Sequence, residues 1–151
     1  MNKFENLFTE YPCNLTDAGV ASATAELLEQ HFAENNEVGV WKQCLHSIDL
    51  TTLNGEDTTE KVEQMAQKVN EFEDHFPGIP NVAAMCVYPA LVQTAADTLT
   101  EPIGIASVAA GFPASQTFIE VKVAEAAMAV ASGATEIDIV ISIGKFLEGN
   151  Y

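Results

Sequence analysis

IGIASVAAGFPASQTFIEVKVAEAAMAVASGATEIDIVISI, residues 103–143, reads as strand, turn, helix, turn and strand. Residues 103–109 form a short, almost wholly apolar run, and Gly111-Phe112-Pro113 breaks it. A helix is predicted from about Ser115. Thr117 and Glu120 have capping spacing, Ile119, Val123, Ala127 and Val130 recur on one side, and Gly133 suits the position just past the helix end. Residues 137–143 are a second apolar run. Strands apolar on both faces and joined by a helix build a parallel sheet with right-handed crossovers.

The same alternation extends toward the N-terminus. Residues 82–88 read as a strand, and Pro89 fits the first position of a helix running to residue 99. A longer helix is predicted from about Asp57, with Asp57 and Glu60 at capping-box spacing and Val62, Met65, Val69 and Phe72 on one side. Pro77, Gly78 and Pro80 stop it. A strand is expected near residues 44–50. Residues 16–34 read as a helix capped by Thr16 or Asp17, with Leu27, Leu28 and Phe32 sharing a face. The order is α-β-α-β-α-β-α-β, an α/β chain.

Composition excludes several partners. The 151 residues hold 22 acidic side chains and six lysines, with no arginine, for a formal charge of −16. That balance disfavours nucleic acid and an anionic membrane surface. It also leaves no arginine fork to clamp a phosphate. An apolar fraction of 48% suffices for a core. No apolar run reaches membrane-spanning length. The start, MNKFENLFTEYPCN, lacks the apolar core of a signal peptide, so a cytoplasmic location is expected. Cys13, Cys44 and Cys86 match no disulfide or CxxC pattern and read as reduced thiols. Cys44 and His46 would share a strand face, but two ligands make no zinc site.

The informative residues are acids inside strands. Asp49 lies in Ser47-Ile48-Asp49-Leu50, and Glu136 and Asp138 alternate with Ile137 and Ile139. A carboxylate in a buried strand is costly unless it is bonded or paired, so Asp49 and Asp138 are structural anchors or members of a site. In a parallel barrel, inward polar residues near the strand C-termini face the active-site mouth. Cys86 shares a face with Ala84 and Tyr88, as a small core filler or a pocket wall. Lys122 falls on a helix, where lysine is ordinarily a surface residue. Lys145 follows the last strand, but nothing local would desolvate it or lower its pKa for amine chemistry.

Taken in order, IDLTTLNGEDTTEKV, VAAMCVYPALV, SVAAGFPASQT, VKVAEAAMAVASGATEIDIVISIG and FLEGNY resemble deoxyribose-phosphate aldolase from about Ile48 to Tyr151. The distinctive elements are a strand Asp followed by Thr-Leu-Asn, a Cys-x-Tyr-Pro strand end, Gly-Phe-Pro, a Lys-x-x-Glu helix and Gly-Ala-x-Glu-Ile-Asp. The resemblance implies the N-terminal half of a (β/α)8 TIM barrel. Residues 1–40 would be a helical extension and residues 41–151 the first four βα units. It implies a class I aldolase, with no metal and no cofactor. Such an enzyme reversibly cleaves the sugar phosphate 2-deoxyribose 5-phosphate to acetaldehyde and glyceraldehyde 3-phosphate through a lysine Schiff base. Asp138 resembles the proton-relay aspartate and Asp49 the aspartate that positions a substrate hydroxyl. Cys86 resembles a pocket-lining cysteine, and Thr51 would lie near substrate. The family's Lys-Thr-Ser/Thr strand is absent from this chain, so the 151 residues alone are expected to be inactive. A homo-oligomer fits the resemblance. The competing expectation is a non-catalytic half-barrel that pairs with itself or a partner through open sheet edges.

Overall fold

A computed structural model describes residues 3–151. The chain divides into two compact units, residues 1–41 with Tyr151 and residues 42–150. The first unit holds α1 (Lys3–Glu10), α2 (Asp17–Asn35) and the start of α3 (Val38–His46). Thr16 caps α2 by accepting the Gly19 N–H at 3.1 Å. The apolar stripe of α2 is exposed at Leu27, Leu28 and Phe32, since nothing in its own unit covers it. The strand expected near residues 44–50 is not formed over that length. Residues 44–46 finish α3, and β1 is only Asp49–Thr51. Val38, Trp41 and Leu45 recur at helical spacing, which outweighs the β-branched content of the segment.

The second unit alternates strands and helices. α4 (Thr59–Asn70) and the single turn α5 (Phe72–His75) follow β1. Then come β2 (Ala84–Val87), a 3₁₀ turn at Pro89–Leu91, α6 (Val92–Thr98) and β3 (Gly104–Ala109). α7 (Ile119–Ala131), β4 (Glu136–Ile139) and α8 (Ile143–Leu147) complete it. The strands form one parallel sheet in the order β1-β2-β3-β4. β4 is shorter than expected because residues 140–142 leave the sheet before α8.

Each face of the sheet has its own core. On the helix-covered face, Met85, Val87 and Ile105 pack with Val62 and Ala66 of α4, Val92 and Ala95 of α6, and Ala129 of α7. Burying each large apolar side chain there contributes about 1.5–3 kcal/mol. On the opposite face, Ala84, Cys86, Ala106 and Val108 pack with Leu53, Tyr88 and Phe112. Asn70 ties α4 to the end of α6 by donating to the Thr98 carbonyl and accepting from the Thr100 N–H, both at 2.9 Å.

α7 departs most from expectation. Ile119 and Val123, read as its core face, are 65% and 63% exposed, and Ala127 and Val130 are exposed too. Its buried residues are Lys122 and Ala129. A helix apolar on nearly every side offers the sheet several faces, and the closest approach selects the side with small residues. Its start also differs, because Phe118 precedes it with no side-chain cap. Gly133, at φ +110°, ends it in the left-handed conformation expected of a residue after a helix.

Candidate active site

The parallel register assembles the strand acids. Thr51 sits beside Cys86, Cys86 beside Ala106, Ala106 beside Glu136, and Val108 beside Asp138. With side chains alternating along each strand, Asp49, Thr51, Cys86, Glu136 and Asp138 fall on the face away from the helices. Asp49, Ala106, Glu136, Ile137 and Asp138 line a cavity of about 280 Å³. Gly104 leaves room beside it: a Cβ there would displace the end of the Glu136 side chain and press on the Ala84 Cβ at 3.1 Å. The face is cheap for carboxylates because the acids stay solvated: Asp49, Glu136 and Asp138 are exposed, while Cys86 between them is buried.

Cys86 reports the field of this cluster. Burial pushes its thiol pKa up, a Thr51 hydrogen bond opposes the rise, and Asp138, Asp49 and Glu136 add to it by repulsion. The thiol therefore stays protonated and acts as an uncharged wall. At pH 8, iodoacetamide is expected to alkylate exposed Cys13 and Cys44 at least about tenfold faster than Cys86. Equal rates, read by peptide mass spectrometry, would contradict this electrostatic picture.

The loop after β1 is locked by a second acid. Asp57 accepts from Lys61 Nζ at 2.5 Å, the Thr52 hydroxyl at 2.9 Å and the Asn54 N–H at 2.9 Å. Thr58, rather than Asp57, caps α4, accepting from the Lys61 N–H at 3.2 Å. The Lys61 ammonium chiefly holds the Asp57 carboxyl well below its ordinary value of 3.8, and the Asn54 and Thr52 bonds help against the opposing effect of burial. A folded-state pKa below the unfolded one stabilises the fold fully above the unfolded value and is lost as pH falls. Asp57→Asn is expected to lower stability at pH 7 and to flatten the loss of stability below about pH 4. Urea midpoints across pH 2–7 measure this; an unchanged acid limb would refute it.

The other sequence candidates fall elsewhere. Lys145 is exposed and paired with Glu148 at 2.9 Å. Cys44 and His46 share the end of α3, and His46 Nδ1 is 2.8 Å from the Asn81 carbonyl oxygen. Among the described residues no group of three or more His, Cys, Asp or Glu side chains is placed to hold a metal ion. No described helix is long and apolar enough to cross a membrane. Lys122 is the residue that sequence reasoning missed. It is 8% exposed, and Nζ donates to Ser115 Oγ at 2.6 Å and Ser142 Oγ at 2.5 Å. The available signal was its helical neighbours, since Ala126 and Ala129 lie four and seven residues on, along the same side.

Four parallel strands with intervening helices, carrying acids on the helix-free face, are the arrangement of part of an aldolase-type (β/α)8 barrel. Comparison with known proteins agrees. The model of the DeoC/LacD family aldolases matches residues 44–147, and the chain belongs to that family. It is 41% identical over 116 residues to human deoxyribose-phosphate aldolase, covering 69% of this chain and 36% of that protein. It is 41% identical over 105 residues to the deoxyribose-phosphate aldolase of Aciduliprofundum boonei, covering 69% of this chain and 43% of that one. Among solved structures it is similar to QR15, an aldolase, with a TM-score of 0.62 at 28% identity, covering 71% of this chain and 44% of that chain. The chain thus spans about a third of the length of its human relative.

Proposed function

We propose that this chain supplies the N-terminal strands of a deoxyribose-phosphate aldolase, with residues 1–40 as a helical extension and 41–151 as the first four βα units. The observation that carries the reading is the helix-free sheet face that presents Asp49, Cys86 and Asp138 together in a chain of this family. Asp138 is the acid–base group. Through water it gives a proton to the departing hydroxyl as an amine and a carbonyl lose water to form a Schiff base, and it takes one back on hydrolysis. Asp49 accepts a hydrogen bond from a substrate hydroxyl and fixes its orientation, with Thr51 beside it. Cys86, kept neutral by burial and then by the carboxylates, lines the pocket without competing as a nucleophile. The Schiff-base lysine and the phosphate-binding groups come from outside these residues. The exposed apolar band of Ile119, Val123, Ile139 and Ile141 supports this, as the surface that further βα units would cover.

The same band, with β1 and β4 as open edges, favours a second reading in which the chain self-associates as a non-catalytic half-barrel. A net charge of −16 on each copy opposes it. A chimera continuing residues 1–151 into the C-terminal part of the human relative decides between them. Cleavage of 2-deoxyribose 5-phosphate is expected; a folded chimera without turnover would overturn the aldolase reading.

A further inference from the structure

Lys122 and Glu125, the Lys-x-x-Glu pair of α7, have no part in the chemistry above, yet their placement is costly. Lys122 as a whole is 8% exposed, and burying a lysine removes hydration from its ammonium. Among the described residues Lys122 forms no ion pair, and its partners are the hydroxyls of Ser115 and Ser142. It also stands on the first turn of α7, where the helix dipole disfavours a cation. Neither burial nor helix stability accounts for a lysine here.

What it touches does. Ser115 lies in the loop after β3, and Ser142 lies just before α8 in the segment after β4. Lys122 bridges these two loops at the strand C-terminal end. The loop after β3 is strained: Ala110 and Ser115 hold φ of +66° and +55° without being glycine. Each strained end has its own restraint from α7. Glu125 accepts the Gly111 N–H at 2.8 Å, and Lys122 holds the Ser115 hydroxyl. Ser115 Oγ in turn donates to the Val140 carbonyl at 3.3 Å, two residues past Asp138.

We propose that Lys122 and Glu125 are positioning residues, a two-ended clamp by which α7 fixes the loop after β3 and the end of β4, and so sets the direction of Asp138. The role of Asp138 rests on the aldolase reading; the clamp itself does not. Its test needs no turnover, so a chain that never cleaves a sugar phosphate still reports on it. Hydrogen exchange and the Asp138 ¹³Cγ resonance are measured in the 151-residue chain and its variants. Lys122→Met is expected to speed amide exchange at residues 110–118 and 140–144 by about tenfold or more, leaving residues 52–58 unchanged. Glu125→Ala, which removes the acceptor of the Gly111 N–H, is expected to loosen the residues around 111 alone and to leave the Asp138 resonance in place. Lys122→Met should shift that resonance. Ser142→Ala, which removes one acceptor and keeps the ammonium, gives a milder version should Lys122→Met fail to fold. Unchanged exchange in both loops would overturn the clamp. Loosened loops with an unmoved Asp138 resonance in Lys122→Met would overturn the positioning role.

Discussion

Purified alone, the 151-residue chain is expected to give no measurable cleavage of 2-deoxyribose 5-phosphate and no condensation of acetaldehyde with glyceraldehyde 3-phosphate. Covalent catalysis needs an amine within about 3–3.5 Å of the reacting carbonyl carbon. No lysine lines the cavity between Asp49 and Asp138. Lys42 donates to the Gly78 carbonyl at 2.8 Å, Lys61 to Asp57 and Lys145 to Glu148, while Lys122 is buried between two serines. With the nucleophile missing, the shortfall against an intact enzyme is on the order of 10⁶-fold or more. A coupled assay for glyceraldehyde 3-phosphate detects turnover far above that background. Sustained turnover by the isolated chain would show that one of its own lysines does the work.

In the chimera, Asp138→Asn is expected to lower kcat by about 10²–10⁴-fold, with KM little changed. That is roughly 3–5 kcal/mol of transition-state stabilisation. The amide keeps the shape of the side chain and one acceptor oxygen, and loses the charge and the ability to take up and return a proton. Asp49→Asn provides the contrast. A group that orients substrate in both ground and transition states affects KM more than kcat. A full kcat in Asp138→Asn would remove Asp138 from the acid–base role and leave Glu136, its neighbour on the same face, as the group to examine.

The sheet was legible because parallel strands buried on both faces leave short apolar runs that helix periodicity does not explain. On that ground residues 103–109 match β3 to within one residue, while residues 82–88 overrun β2 by two residues at its start and one at its end. The acids were legible for the same reason, since Asp49 and Asp138 interrupt runs that are otherwise apolar. What failed was the choice of side. In IEVKVAEAAMAVA almost every position but the charged ones is apolar, so periodicity names several candidate faces. Packing chose the side with Ala129, and Lys122 went in with it while Ile119 and Val123 stayed out. Ala126 and Ala129 mark the side that went in, but the serine partners of Lys122, seven residues before it and twenty after it, leave no local pattern. Short strands failed differently: β1 has three residues, too few to show any period, and the neighbouring α3 was drawn into it.

Borohydride reduction of the chimera in the presence of 2-deoxyribose 5-phosphate, with the labelled peptide mapped by mass spectrometry, locates the reactive amine. If residues 1–151 provide the acid–base and substrate-positioning wall of a Schiff-base aldolase, the reduced adduct lies on one lysine of the added C-terminal part and none of the six lysines here carries it. An adduct on Lys122, Lys145 or any other lysine of this chain would contradict that account.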